Sequence, residues 1–371
     1  MGLVTRLRAN LRSTYALYRR LRDRGHGPVG AVLWWLPQAV AVRAYRKLTY
    51  VINDGLLQRW VTPARFRRFQ ASMADQLGGH FYVIVMPQTL HFLLPCLRLV
   101  AHDMRLILLL NGVRRWEAEL LRARWPKLPQ FRVATLPNSS VGHGSMINML
   151  LQNNDRNFGL FDHDLYLFDK TVLAQLEFAD EEFLLCLLSD ASVDGQWVYP
   201  LTHFLYFRVD VFKRLMERYS VGAQSYRDVP EPARARLDTL GLRDGATIKS
   251  YHDFYDTLHV LLALAYAEGL SVAQLDLATT DGVYHVGGTS IGTHHTKDLA
   301  HLYIQLLFLE VANEPLLQRR YAFLTAPFTS ASELRKHVPK TPQAVQQLRV
   351  ADEVIGRLRR TFGTKPSIAP E

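Results

Sequence analysis

The stretch HFYVIVMPQTLHFLLPCLRLVAHDMRLILLLNG, residues 80–112, contains two short apolar runs separated by a helical pattern. The runs at 80–87 and 104–112 show no alternation of polar residues, which is typical of strands buried on both faces. The segment between them, 89–102, has the spacing and length of a helix. A strand, a helix and a second strand in this order predict a parallel sheet.

The same pattern continues along the chain. Further strands are predicted at 131–136 and 157–164, with helices at 115–125 and 146–152. The fold class is therefore α/β, with a mostly parallel sheet flanked by helices. In such sheets ligands bind beyond the carboxyl ends of the strands. Turn-forming or polar residues follow each predicted strand at that end: Pro87, Asn111 with Gly112, Asn138, and Asp162 with Asp164.

The fourth predicted strand leads into NFGLFDHDLYLFDK, residues 157–170, which carries two aspartates between apolar runs. Side chains two residues apart in an extended segment point the same way, so Asp162 and Asp164 form a pair and His163 points away. Two adjacent carboxylates repel each other unless one is protonated or a cation binds between them. Mg²⁺ or Mn²⁺ with open positions for phosphate oxygens meets that requirement. The alternative is that Asp162 closes a turn and Asp164 caps a helix.

The net charge of +10 is concentrated at the N-terminus, where residues 1–72 hold 14 Arg and Lys but only two acids. An anionic partner is expected for this arm. Its mixture of arginine, tryptophan and tyrosine favours a membrane surface. Packing on the main domain is the second possibility and nucleic acid the third, although no nucleic-acid-binding motif accompanies the charge. The apolar run at 28–42 is shorter than the roughly 20 residues of a spanning helix.

The chain has two cysteines, Cys96 and Cys186, both within apolar runs. Their positions predict buried, reduced thiols and a reducing compartment. No Cys/His spacing typical of a structural zinc site is present. A cytoplasmic protein attached peripherally to the inner face of a membrane is the expected location.

The order of these motifs resembles that of GT-A fold glycosyltransferases, and most closely the large family-2 type. The resemblance extends over residues 80–295 and rests on motif order and spacing, with Gly142 and Asn148 six residues apart before the Asp162 strand. It implies a nucleotide-sugar donor and a divalent cation. One departure is Leu110, which stands where the family usually has aspartate. The residues that the resemblance assigns to the nucleotide-sugar are Pro87, Asn111, Gly142, Gly144, Asn148, Asp162 and Arg208.

The second half of the chain supplies the remaining candidates by the same resemblance. Asp256, with Asp253 as second choice, precedes an apolar helix in the place of the family's catalytic base. His285, with His294 as second choice, is the expected third metal ligand beside Asp162 and Asp164. Residues with a possible contact to acceptor or diphosphate are Thr202, His203, Arg208, Thr289 and Ser290.

The predicted function is transfer of a sugar from a nucleotide-sugar to a glycan or lipid-linked acceptor, metal-dependent and with inversion. The predicted divisions are a basic helical arm at 1–75, a catalytic domain at 76–295, and a helical extension with a loose tail at 296–371. Residues 1–72 are expected to contact an anionic membrane, and nucleic acid is not an expected partner. Two alternatives remain open: a sugar nucleotidyltransferase, and a catalytically silent binding or scaffold protein.

Overall fold

The structure is a computed structural model that describes residues 29–30, 41, 44–45, 47–73, 78–191, 198–226, 228–239, 255–279, 281–287, 289 and 298–363. Most of the arm before residue 44 is outside these ranges, as are the candidates Asp253, Ser290 and His294. The described residues form an α/β structure in which a central sheet lies between two layers of helices.

Eleven strands are formed by the described residues: β1 His80–Val85, β2 Arg105–Leu110, β3 Gln130–Arg132, β4 Phe158–Asp162, β5 Leu165–Leu167, β6 Glu182–Cys186, β7 Ser189–Ala191, β8 Val198–Pro200, β9 Phe204–Phe207, β10 Ser271–Gln274 and β11 Val283–His285. Seven of them make the central sheet in the order β10-β6-β9-β4-β1-β2-β3. β5 pairs with β11, and β7 pairs with β8, in two small antiparallel ribbons.

The helices in the described residues are α1 Thr62–Ala71, α2 Leu90–Val100, α3 Arg115–Arg124, α4 His143–Asn153, α5 Val209–Tyr219, α6 Glu231–Asp238, α7 His259–Ala267, α8 Leu299–Ala312, α9 Pro315–Thr325, α10 Ala331–Arg335 and α11 Pro342–Phe362. A π-helical segment, Tyr50–Val61, leads directly into α1.

The central sheet is largely parallel, as the sequence predicts. β1 pairs in parallel with β2 and β4, and β2 pairs in parallel with β3. The exception is β9, which runs antiparallel to both of its neighbours, β4 and β6. The carboxyl ends of β1, β2 and β4 therefore meet at one edge of the sheet, together with the amino end of β9.

Each face of the sheet has its own apolar core, because alternate residues of a strand point to opposite faces. In β1, Phe81 and Val83 pack into one core and Tyr82 and Ile84 into the other. The first core is closed by α2, α8 and α11, and the second by α1, α4, α5 and α7. Cys96 lies in the first core and Cys186 in the second, and both thiols are free and buried, as predicted.

The described part of the N-terminal arm packs on the main domain along one side. Phe66 of α1 is fully buried in the second core. Gln70 donates from Nε2 to Asn154 Oδ1 at 2.7 Å, within a buried group that also includes Tyr82. The buried Asn53 donates to Ser139 Oγ at 2.8 Å. The segment 50–71 is thus anchored to the sheet by both apolar and polar contacts.

A long helix near the end of the chain lies within the predicted helical extension. Residues 342–362 form the 21-residue helix α11, whose N-cap Thr341 accepts from the Ala344 amide. Leu348, Ile355 and Leu358 on its inner face are buried in the first core. These apolar residues have the spacing of one helical face. Residues 364–371 lie outside the described ranges, so the loose tail stays a prediction.

The structure bears on two further predictions, the membrane contact of the arm and the division of the chain into domains. None of the helices within the described ranges is both long and apolar enough to span a bilayer. Helices α8 and α11, which follow the predicted division at 295, pack on α2 and on each other. The division of the chain at 75 and 295 stays a prediction.

His80 at the start of β1 gives the fold a predictable pH dependence. Its ring is buried against Tyr82, and neither nitrogen has a hydrogen-bond partner among the residues that the structure describes. Burial, together with the nearby Arg156 charge, lowers the pKa of His80 to about 4. The unfolded chain binds this proton at about pH 6.5, so stability is intact above that pH and is lost as the pH falls toward 4. We expect His80 to remove about 2 kcal/mol of stability at about pH 5 relative to neutral pH.

Urea unfolding of the wild type and of His80→Phe at about pH 7.5 and about pH 5 measures this effect. The phenylalanine keeps the ring packing and should abolish this part of the pH dependence. His102→Gln, at an exposed histidine, is the matched control. Equal pH dependence in the wild type and His80→Phe would contradict the prediction.

Candidate functional site

The end of β4 and the start of β9 bring Asp162 and His203 together. Because the two strands are antiparallel, Phe161 pairs with Phe204, and the residues just beyond that pair are neighbours. The Asp162 amide donates to the His203 carbonyl at 2.8 Å. The side chains face each other, with His203 Nδ1 3.7 Å from Asp162 Oδ2. The sequence predicted His203 only as an acceptor or diphosphate contact.

His285 joins them from β11, whose pairing with β5 places His285 opposite Leu165. Its Nε2 lies 3.3 Å from Asp164 Oδ1 and 3.8 Å from Asp162 Oδ2. Its ring stacks on that of His203, with the centroids 3.6 Å apart. Both aspartates of the predicted pair therefore converge on the predicted histidine, although 121 residues separate His285 from Asp164 in the numbering.

Asp162, His203 and His285 form a set that fits a divalent cation. One donor atom from each lies within 4.8 Å of the others, and all three side chains are half-buried. The 3.7 and 3.8 Å separations from Asp162 Oδ2 are too long for hydrogen bonds. They are close to the separation, about 3 to 3.7 Å, of two ligands that each bind one ion at about 2.1 Å. Imidazole suits transition-metal ions and carboxylate suits Mn²⁺ and Mg²⁺, so a carboxylate with two imidazoles fits a transition-metal ion such as Mn²⁺ better than it fits Mg²⁺.

Asp164 lies behind this set in a buried network. The strand ends at Asp162, so Asp164 is in the following turn, with its side chain almost fully buried. Thr289 donates from Oγ1 to Asp164 Oδ2 at 2.7 Å and lies 3.0 Å from His163 Nε2. His163 Nδ1 lies 3.2 Å from the Ile84 carbonyl. His163 thus points into the interior and is linked to Asp164 through Thr289, where the sequence predicted only that it points away.

The charges of this network stabilise one another. Burial alone would raise the pKa of Asp164, but His163, His285 and the Thr289 hydroxyl together hold it well below its ordinary value. Burial would likewise lower the pKa of His285, and its hydrogen bond with Asp164 and the charges of Asp164 and Asp162 outweigh burial and raise it. Asp164 therefore keeps its negative charge at physiological pH, whereas a cation that binds His285 has to displace the proton that the raised pKa of that ring favours.

Gly144 and Asn148 contact another segment of the chain. A Cβ atom on Gly144 would lie 2.6 Å from the Gln224 Cα atom, so only glycine allows this approach. Asn148 accepts from the Ala223 amide and donates to the Gln224 side chain. These two residues, predicted to bind the nucleotide-sugar, hold residues 223–224 against α4.

The segment held in this way positions Asp256. The Leu258 amide donates to the Ala223 carbonyl at 2.8 Å, and Ser225 Oγ lies 3.3 Å from Asp256 Oδ1. The Thr257 amide donates to the same carboxylate oxygen at 2.7 Å. Leu258 has φ 69°, a left-handed conformation that is costly for a leucine. Asp256 is half-buried just before α7, as the sequence predicted for the catalytic base.

His143, the first residue of α4, connects Asp256 with the metal-ligand set. Burial lowers the pKa of His143, while the charges of Asp162 and Asp256 act in the opposite direction. The ring is therefore within electrostatic reach of both carboxylates and of His203. The sequence pattern drew attention to the glycines on either side of His143 and not to His143 itself. A histidine between two glycines at a helix start was the available signal.

The polar groups of three other candidates form hydrogen bonds with other parts of the chain. The Asn111 side chain is buried and exchanges two hydrogen bonds with the Val141 backbone, at 2.9 and 2.8 Å. Gly142 is the N-cap residue of α4, and its amide donates to Asp54 at 3.1 Å. Arg208 follows β9 at the opposite end of the sheet from Asp162, and its guanidinium donates to three carbonyls of residues 179–182. Pro87 lies in the turn after β1, at the same edge as Asp162.

Solved structures with some similarity to the chain are glycosyltransferases, and their TM-scores are low. The apo form of GlyE from Streptococcus pneumoniae TIGR4 is 9% identical, with 78% of this chain and 66% of that chain covered and a TM-score of 0.31. The apo bifunctional glycosyltransferase WbbM is 10% identical, with 73% of this chain and 51% of that chain covered and a TM-score of 0.32. S. aureus TarS 1–349 in complex with UDP-GlcNAc is 14% identical, with 75% of this chain and 81% of that chain covered and a TM-score of 0.28.

The chain therefore spans about two thirds of GlyE and half of WbbM. TM-scores near 0.3 are too low to show that these structures share the overall fold of this chain. No curated protein matches the sequence.

A family model matches part of the chain. It is described as the StrH glycosyltransferase N-terminal domain, and it covers residues 58–212. The matched segment contains β1 to β9 with Asp162 and His203, and it ends before Asp256 and His285. Over this segment the chain is similar to a glycosyltransferase domain, which supports glycosyl transfer as its general activity.

Proposed function

We propose that the chain is a metal-dependent glycosyltransferase that moves a sugar from a nucleotide-sugar to an acceptor hydroxyl. The observation that carries this proposal is the convergence of Asp162, His203 and His285 at the carboxyl edge of the sheet. The family match over 58–212 and the GT-A-like order of motifs support the same activity.

Asp162, His203 and His285 would hold Mn²⁺ or Mg²⁺, with Asp164 as a further predicted ligand or as the group that orients His285. When bound, such a cation neutralises negative charge on the diphosphate of the donor. Thr289 and His163 keep Asp164 ionised and fixed from the buried side. His294 remains a predicted ligand outside the described residues.

Asp256 is the proposed general base, with Asp253 as second choice. Its carboxylate would take the proton of the acceptor hydroxyl while that oxygen bonds to C1 of the donor sugar. The bond from C1 to the diphosphate oxygen breaks in the same step, and the nucleoside diphosphate leaves. Attack from the face opposite the leaving group inverts the configuration at C1. His143 lies within electrostatic reach of both Asp256 and Asp162 and would contribute to the charge balance between them.

The acceptor is proposed to be a glycan or a lipid-linked saccharide at an anionic membrane. The described part of the arm supports this: its outer side exposes large apolar side chains beside cationic ones. Trp60 is 66% exposed with Arg59 over its ring, and Leu56 is 54% exposed. Amphipathic helices with tryptophan and arginine on one side are typical of headgroup layers.

Metal-dependent nucleotide binding is the first test. We expect calorimetry to show that UDP, GDP or dTDP binds in the presence of Mn²⁺, and that Asp162→Asn or His285→Gln weakens this binding by roughly tenfold or more. Asp155→Asn, at an exposed aspartate beyond the other end of β4, is the matched control. Absence of metal-dependent binding of any of the three nucleotides by folded protein would reject the proposed cation site.

Asp256→Asn tests the base. We expect the rate of nucleoside diphosphate release with acceptor present to fall by roughly 10²- to 10⁴-fold, because no carboxylate then accepts the proton of the acceptor hydroxyl. Metal-dependent nucleotide binding should not change. Asp228→Asn, at an exposed aspartate in the same region, should retain activity. An equal loss of nucleotide binding in Asp256→Asn would assign the residue to the donor site.

Vesicle co-sedimentation tests the membrane partner. We expect Leu56→Ser/Trp60→Ser to reduce binding to vesicles that contain phosphatidylglycerol, because about 0.8 kcal/mol per buried CH₂ is lost. Phe323→Ser/Val345→Ser removes exposed apolar side chains from α9 and α11 and is the control. Equal binding of the two double variants would exclude this side of the arm as the membrane contact.

A further inference from the structure

A second concave site lies at the β3 edge of the sheet. Its volume is about 550 Å³, and it is bounded by the turn after β2, the segment after β3, and the arm. Four of the residues that line it are arginines, Arg65, Arg114, Arg115 and Arg132, and none of the lining residues is acidic. We refer to it below as the arginine cavity.

The four arginines come from three separate parts of the chain and are poorly compensated. Arg65 belongs to α1, Arg114 and Arg115 begin α3, and Arg132 ends β3. Arg115 pairs with Glu119 at 2.8 Å, but both side chains are exposed, so that pair contributes little. Among the described residues, no carboxylate lies within ion-pair distance of the other three guanidinium groups.

The remaining contacts of these guanidinium groups are weak. Arg132 approaches the Val113 carbonyl at 3.4 Å, and Arg65 lies 5.9 Å from the centroid of the Phe131 ring. Glu117 in the first turn of α3 accepts from the Arg114 backbone amide at 2.7 Å and offsets part of the positive end of that helix. Arg65, Arg115 and Arg132 are exposed and Arg114 is half-buried, so water screens part of the repulsion between these like charges, and a bound anion relieves the rest. Phosphate oxygens match the planar fork of a guanidinium group.

The arginine cavity is separate from the metal-ligand set. β4, β1, β2 and β3 are successive neighbours in the sheet, so three spacings of about 4.8 Å, roughly 14 Å in all, separate β3 from Asp162. A nucleotide-sugar carries its negative charge on the diphosphate, which the metal-ligand set is proposed to hold. A second phosphate group therefore comes from a different molecule.

We propose that the arginine cavity binds a phosphate or diphosphate ester group of the acceptor. Anion binding in the cavity is independent of the proposed function, whereas assignment of that anion to the acceptor rests on it. The phosphate belongs either to a soluble phosphorylated saccharide or to a lipid headgroup. Leu57, which lines the cavity, adjoins the exposed Leu56, so both sources reach the site without crossing the sheet.

The test uses the full chain in EDTA, where the proposed cation site makes no contribution. Calorimetry with inorganic pyrophosphate and with glucose 1-phosphate measures the soluble source. Co-sedimentation with phosphatidylcholine vesicles, with and without phosphatidic acid, measures the lipid source. We expect at least one of these probes to bind, and we expect Arg114→Gln/Arg132→Gln to weaken that binding by roughly tenfold or more.

Three further variants complete this test. Arg67→Gln/Arg122→Gln removes the same charge from exposed positions outside the cavity and should bind almost as the wild type does. Thr135→Glu leaves all four arginines in place but adds a carboxylate to the cavity wall, and it should also abolish binding. Asp162→Asn should leave binding in EDTA unchanged. The cavity variants should keep metal-dependent nucleotide binding, which separates failure of this inference from failure of the proposed function.

The outcomes are distinct. Binding of pyrophosphate or glucose 1-phosphate that is lost in the cavity variants identifies a soluble phosphorylated acceptor. Loss confined to phosphatidic acid vesicles identifies a lipid phosphate. Absence of binding to all probes, or an equal loss in the Arg67/Arg122 control, would overturn the inference and leave the arginines as unspecific surface charge.

Discussion

A carboxylate buried as deeply as that of Asp164 requires partners that replace its lost hydration. Thr289 and His285 supply them directly, and His163 supplies them through Thr289. These contacts join the turn after β4 to β11 and to the residues that follow β11. Asp164 contacts the His285 ring at 3.3 Å and so helps to orient it toward Asp162, whose carboxylate lies 3.8 Å from the same nitrogen. One buried charge thus fixes a site built from segments more than a hundred residues apart.

The sequence was sufficient for the layered fold and for part of the site. Apolar runs without alternation predicted a parallel sheet, and the residues after those runs predicted the edge at which Asp162 lies. The direction of β9 could not be predicted, because periodicity identifies a strand but does not show which neighbour it pairs with. That one antiparallel strand places His203 beside Asp162 and removes Arg208 to the other end of the sheet.

The glycine-containing start of α4 shows a second limit. The resemblance assigned Gly144 and Asn148 to the nucleotide-sugar, and that assignment stays a prediction. Their described contacts are with residues 223–224, which in turn hold the segment containing Asp256. A sequence shows that a glycine must be close to something, but it does not show whether that partner is a ligand or another part of the chain. Their effect on Asp256 is therefore indirect, through the position of the backbone.

The packing of α8 has a consequence for how the protein is made. This helix, Leu299–Ala312, covers one face of a sheet whose first strand begins at His80. On the ribosome, the strands of that sheet emerge long before the helix that shields them. For that interval the apolar side chains of α2 and of one sheet face are left open to water and to other chains. Nascent chains of this length are therefore expected to depend on chaperones until α8 and α11 have been synthesised.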